Sequence, residues 1–238
     1  MYKKYLGKEE YSYTLGYATT LDLLRHKPQH VLRVTAKPGN DANKTLAEIK
    51  QLCHKHGIEF LLSENQINKV SIKENCYVVG FFQKYPQRLS EYSPHIMLVN
   101  PSDMGNMGTI IRTMLGFNHT NLAIIEPGCD AWSPKVVRGS MGAIFQINFE
   151  YFPSLSTYQT RFPKHHLYPF LLNASHDLSS LKPLTPYTLI FGNEGSGLPD
   201  QYNKVGESIK ILHSAKIDSL NLGVSVSLAL YEVTRSQK

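Results

Sequence analysis

Residues 188–200 read TLIFGNEGSGLPD, an apolar run that enters a loop carrying three glycines. Loops of this kind cradle phosphates when their backbone N–H groups converge on an anion. Gly192 and Gly197 stand at the G-x-x-x-x-G spacing, but Leu198 and Pro199 replace the Lys and Ser/Thr that complete a phosphate loop. The dinucleotide pattern fails as well: Gly195 and Gly197 fit it, and Asp200 occupies its third glycine position. Glu194 puts an anion at the centre of the loop, where a polyphosphate needs a cation. The loop suits close main-chain approach to a ligand that is not a polyphosphate.

Two further polar turns follow strand-like runs. NPSDMGNMGTIIRT (100–113) comes after HIMLV, and HSAKIDSLN (213–221) comes after SIKIL. In parallel α/β sheets, ligands bind outside the carboxyl ends of the strands, so three such turns on one sheet predict a composite pocket. Metal chemistry finds no comparable support. Cys53, His54 and His56 are close in sequence but read as a helix surface, and none of the ten histidines has ligand-like spacing, so no metal is expected.

The elements that must hold these turns alternate between strand and helix patterns. In the first half, strands are expected at 30–36, 58–62 (buried) and 75–82. Thr45 and Glu48 make a capping-box pattern ahead of a helical face formed by Leu46, Ile49, Leu52 and Cys53, and Gly57 ends that helix. The polar, proline-bearing segment 84–94 marks a domain boundary. The second half predicts strands at 95–99, 121–125, 143–149, 167–172, 187–191 and 208–213, with helices at 109–117 and near 134–142. The last segment, 219–235, is apolar nearly all round and reads as a long helix buried in the core or a subunit interface. This alternation predicts an α/β protein with a mostly parallel sheet.

Charge separates the halves. Residues 1–90 hold 14 Lys/Arg against 8 Asp/Glu, whereas 91–238 hold 11 of each, so the whole excess of +6 lies in the first part. That asymmetry suits either a polyanion partner or a merely soluble basic surface. MYKKYLGKEEYSYTLGY (1–17) interleaves five tyrosines with three lysines, fit for stacking on unpaired bases or for packing into the small domain's core. No apolar run is long enough for a membrane span and no secretory h-region is present, so no membrane partner is expected. Three scattered cysteines without C-x-x-C suit reduced thiols in a cytoplasm.

Taken in order and spacing, the three turns resemble the motifs of the SpoU (TrmH-like) branch of the SPOUT RNA methyltransferases. Asn106, Gly108, Arg112 and Thr113 carry an N-x-G-x-x-x-R-T run. Gly192, Glu194, Gly197 and Leu198 carry G-x-E-x-x-G-L, and Ser219, Leu220 and Asn221 carry the S-L-N opening of the last helix. VRGSMGAIF (137–145) is also similar to a family segment at Arg138, Ser140 and Gly142. Asp218, Leu222 and Gly223 depart from the usual pattern at the cofactor pocket.

The resemblance implies a C-terminal parallel-sheet methyltransferase domain with a trefoil knot over 91–238, preceded by a small N-terminal α/β RNA substrate-binding domain over 1–90. It implies S-adenosylmethionine as cofactor, a homodimer, and methyl transfer to a ribose 2′-hydroxyl of structured RNA, rRNA before tRNA. A catalytically silent RNA-binding member of the fold and a phosphate-handling nucleotide enzyme are the rivals. The implied catalytic residues are Arg112, Asn106, Glu194, Ser219 and Asn221. The implied cofactor contacts are Ile190, Gly192, Asn193, Glu194, Gly195, Gly197, Ile211, Leu212, Ser219, Leu220, Asn221 and Leu222.

The chemistry agrees with these assignments. A sulfonium is a cation, which a loop lysine would repel and Glu194 would not. Arg112 is placed about one turn into its helix, within reach of the turn region. A guanidinium, with a pKa above about 12, is a poor base but binds a phosphate and stabilises a developing alkoxide. Proton abstraction by Arg112 requires a neighbour that deprotonates it. Ser219 stands where a hydroxyl serves as an N-cap, as a site group, or as both.

Overall fold

In the computed structural model, which describes residues 2–39, 42–71 and 75–236, the predicted alternation of strands and helices is present. The first elements are β1 (Tyr11–Tyr13), α1 (Tyr17–His26), β2 (Val31–Ala36), α2 (Lys44–Lys55), β3 (Phe60–Leu62), α3 (Glu64–Val70) and β4 (Val78–Gln83). Then come β5 (His95–Val99), α4 (Met104–Gly116), β6 (Asn121–Ile125), α5 (Pro134–Gly139), β7 (Asn148–Phe152), α6 (Leu155–Arg161) and β8 (His166–Pro169). The chain ends with β9 (His176–Asp177), β10 (Tyr187–Phe191), β11 (Ile209–Lys210) and α7 (Leu222–Ser236). Two compact units result: Met1–Pro86 with Asp130–Gln146, and Gln87–Cys129 with Ile147–Lys238.

The first unit is built on a four-stranded sheet in the order β1-β4-β2-β3, antiparallel except for β2 with β3. Successive residues of β4 face opposite sides. Val78 joins Leu24, Val34, Leu46, Ile49 and Cys53 in one core, while Val79 and Phe81 join Tyr13, Ile67 and Val70 in another. Burial in that first core raises the Cys53 thiol to about 11. The N-terminal tyrosines belong to the second core: Tyr13 is buried, and Tyr2 stacks on Phe81 with centroids 4.2 Å apart. Of the two readings of residues 1–17, packing describes Tyr2 and Tyr13.

Two expectations change here. The cap of α2 is Asn43, whose Oδ1 accepts from Leu46 N at 3.1 Å, rather than Thr45, because the helix already includes Lys44. Glu48 pairs with Arg25 instead of closing a capping box, with N and O 2.6 Å apart. The strand at 58–62 shortens to Phe60–Leu62 and is not buried, since β3 lies at the sheet edge with Leu61 and Leu62 exposed.

The second unit holds a parallel five-stranded sheet in the order β7-β6-β5-β10-β8. Every residue of β5, β6 and β10 is buried, as expected for a parallel sheet covered on both faces. The chain leaves the middle of this sheet toward β7, crosses to β8, and returns with β10 between β5 and β8. That reversal makes the β5/β10 junction the topological switch point.

Four expectations are corrected here. Helix α4 begins at Met104, not 109, because Asp103 caps it and accepts from Asn106 N at 2.7 Å. Arg112 therefore lies about two turns in, not one. The strand expected at 143–149 is a 3₁₀ turn at Ala143–Phe145, with β7 starting only at Asn148, because Gly142 enters with φ +87°. The run at 208–213 forms just two strand residues, which pair with β9 in a separate ladder rather than with the main sheet. Helix α7 starts at Leu222, not 219, and in the single chain Val224, Leu228 and Tyr231 are 47%, 41% and 55% exposed along one stripe.

Candidate functional site

The loop after β10 and the turn after β5 are fastened to each other at the switch point. The Asn193 side-chain amide donates to Asn100 O at 2.7 Å, and its Oδ1 accepts from Gly195 N at 2.9 Å and Ser196 N at 3.2 Å, which folds the loop back on itself. Glu194 reaches across to the start of α4. Its Oε2 accepts from Ser102 N and Oγ at 3.1 and 2.9 Å, and its Oε1 accepts from Asp103 N at 3.2 Å and Asn106 Nδ2 at 3.3 Å. Burial works to raise this carboxyl, but the N–H groups of Glu194 and Ser102 and the Asn106 and Ser102 side chains outweigh it and hold it below its ordinary value. A fixed carboxylate at a helix N-terminus is also favoured by the helix dipole.

The glycines divide by task. A Cβ on Gly192 would lie 2.2 Å from Gly197 C and 2.3 Å from Leu198 N, so its bare backbone allows the loop to close on itself. Gly197 adopts φ +68°, a left-handed conformation that L side chains rarely take.

These segments wall a cleft of about 280 Å³. Gly192, Asn193, Glu194, Gly195, Gly197, Ile211, Ser219, Leu220 and Leu222 line it, as the sequence implied. Ile190 is instead buried in the core beneath the sheet with Met97 and Val99, and Leu212 is exposed and outside the lining. Asn106 and Asn221 stand beside the cleft as links: Asn106 donates to Glu194 and accepts from Asn221 Nδ2 at 3.0 Å. Asn221 also caps α7, its Oδ1 accepting from Val224 N at 3.3 Å, which leaves Ser219 in the cleft wall and not at the cap. Arg112 is exposed on α4 and makes no hydrogen bond or ion pair among the described residues.

The sequence reading missed Phe170, Leu171, Leu172, Ile209 and His213, which also line the cleft. Phe170 stacks on Phe191 with centroids 4.3 Å apart. Their signals were the strands expected at 167–172 and 208–213 and the turn that begins at His213. Among the described residues the lining includes two carboxylates, Glu194 and Asp218, and neither Lys nor Arg. Main-chain polar groups, apolar walls and anions fit a nucleoside that carries a cationic centre, and they would repel a polyphosphate.

Fold and cleft thus define an α/β protein with a nucleoside-type site at a topological switch point. Residues 93–231 match the model of the SpoU rRNA Methylase family, and the chain belongs to that family. An uncharacterized tRNA/rRNA methyltransferase of Synechocystis sp. is 28% identical over 145 residues, covering 60% of this chain and 53% of that relative, about half its length. The SpoU methyltransferase AviRb of Streptomyces viridochromogenes has the same fold at TM-score 0.84 and 18% identity, over 96% of this chain and 90% of that one. An AdoMet-bound rRNA methyltransferase from Sinorhizobium meliloti gives TM-score 0.81 at 22% identity, over 96% and 88%. At these identities the two structures establish the fold.

Proposed function

We propose that this chain uses S-adenosylmethionine to methylate a ribose 2′-hydroxyl in structured RNA. The observation that carries this reading is the cleft itself, lined by carboxylates and main chain with no Lys or Arg among its described residues. When bound, S-adenosylmethionine supplies a methyl group activated by its sulfonium. Gly192, Asn193, Gly195, Gly197, Ile211, Leu220 and Leu222 would hold it. Glu194, pinned to α4, fixes the loop and adds negative potential. The free guanidinium of Arg112 binds the target phosphate and steadies the alkoxide that develops as the hydroxyl loses its proton.

rRNA is the favoured target, with tRNA second; the Synechocystis relative's description covers both. RNA substrate binding falls to residues 1–90, which hold all the excess positive charge, and methyl transfer to the domain within 91–238, from which Asp130–Gln146 joins the first compact unit. The exposed stripe Val224, Leu228 and Tyr231 on α7 supports a homodimer. The insertion of β10 between β5 and β8 supports the family's knot. The enzyme works in the cytoplasm, which suits three cysteines of which none is in a disulfide.

Calorimetric titration with S-adenosylmethionine, followed by mapping of ribose methylation across rRNA and tRNA with and without the gene, tests the proposal. Cofactor binding and one methylation site that disappears with the gene are expected. A protein that ignores the cofactor but binds ATP or NAD would overturn it.

A further inference from the structure

The cleft has two chemically different kinds of wall. Glu194 and Asp218 bring negative charge to it, Glu194 held against the α4 N-terminus, which suits a sulfonium. An apolar wall forms where the segment after β8 pairs with β11: Phe170 bridges Ile209, and Leu171 N donates to Ile209 O at 2.9 Å. Phe170, Leu171, Leu172, Ile209 and Ile211 give apolar surface suited to a flat purine, and His213, an exposed side chain, lines the same cleft. The ring is already oriented. His213 Nδ1 lies 2.8 Å from Ile211 O, and a carbonyl only accepts, so Nδ1 carries the hydrogen. In the neutral ring Nε2 then keeps the lone pair, and no described residue donates to it.

We infer that His213 reads the amino edge of the cofactor's adenine, its Nε2 accepting from the exocyclic amino group. The inference rests on the cofactor reading above. It makes His213 a specificity residue: a 6-amino purine offers a donor to that lone pair, whereas a 6-oxo purine sets a second acceptor against it.

The test is calorimetry of S-adenosylhomocysteine and its 6-oxo counterpart, S-inosylhomocysteine, on the full chain and on two variants. The wild type is expected to prefer the adenosyl ligand about tenfold, the effect of one hydrogen-bond partner reversed. His213→Phe keeps a flat ring without the acceptor, and its preference is expected to fall to about onefold. His213→Gln, which restores an acceptor oxygen, is expected to regain part of the preference. A Phe variant that discriminates as strongly as the wild type, or a wild type that binds both ligands equally, overturns the role of His213 and leaves the cofactor reading intact. A wild type that binds neither ligand overturns both.

Discussion

Glu194 and Ser102 lie 92 residues apart in the chain and are joined twice, by the Ser102 N–H and by its hydroxyl, both donating to Glu194 Oε2. This pair makes the β10 loop and the start of α4 one mechanical unit. Glu194→Gln keeps the shape but turns an amide NH₂ toward donors that need an acceptor. Stability is expected to fall by about 1–3 kcal/mol, and S-adenosylhomocysteine affinity is expected to fall with it. Urea unfolding and calorimetry read the two effects. An unchanged urea midpoint would show that the clamp contributes nothing.

Of the roles left open for Ser219, cap or site group, the cap falls to Asn221. Asn221 caps α7 and bridges to Asn106, so Asn221→Ala is expected to cost about 1–2 kcal/mol. Ser219→Ala is expected to leave thermal stability within about 0.5 kcal/mol of the wild type, because Ser219 only lines the cleft. Differential scanning fluorimetry of the two variants decides the order. A larger loss from Ser219→Ala would return the cap to Ser219.

The residues that sequence places well are those whose environment is local. YTLIF forms β10 at the predicted residues because five apolar residues ended by glycine suit a strand buried on both faces. The errors arise where a distant partner decides. The run Met104–Gly108 reads as a glycine-rich turn, yet the Asp103 cap and the Glu194 carboxylate make it helix. Ile209–Lys210 joins β9 and not the main sheet, a choice of partner that no periodicity encodes. His213 opens one of the three turns expected to form the pocket, yet it was not singled out as a site residue because no motif gives its side chain a role. Leu212 falls outside the cleft while Ile211 lines it, a difference of facing that a motif does not specify.

Arg112 is exposed and unpaired among the described residues, so it has no visible part in holding the fold. Arg112→Ala is expected to leave the unfolding midpoint and cofactor affinity unchanged while turnover falls by about 10²-fold or more. Single-turnover methyl transfer with saturating cofactor measures this. Full activity in the variant would remove Arg112 from the mechanism.

Gly192 tests the loop closure itself. A Cβ at 2.2 Å from Gly197 C meets main chain, which cannot swing aside as a flexible side chain can. Gly192→Ala is therefore expected to disorder the loop and abolish measurable cofactor binding. The rest of the fold should remain, with far-ultraviolet circular dichroism unchanged. Gly195→Ala is the contrast, since a Cβ there meets only Asn193 Oδ1 at an ordinary 3.5 Å. Equal effects from both substitutions would refute the division of labour between the two glycines.

The foot of the same sheet predicts how the protein responds to acid. His95, at the start of β5, sits buried between Tyr158 and the Ser90 carbonyl, each 2.7 Å from a ring nitrogen. Burial above all, then the nearby His165, pushes its pKa down to about 3; the Ser90 carbonyl opposes this, and Arg161 adds a smaller push downward. The unfolded chain titrates near 6.5, so between about 6.5 and 3 the unfolded state binds the extra proton. Stability from this group is complete above about pH 6.5 and declines as pH falls through that window, by up to about 1.4 kcal/mol per pH unit. His165 and His119 are shifted in the same direction by burial and add to the slope. Urea midpoints are expected to drop steadily from pH 7 to pH 5, and His95→Gln is expected to start less stable but to show a shallower decline. A variant with the wild-type slope would mean that His95 already carries its proton in the folded protein, which its burial and the neighbouring His165 do not favour.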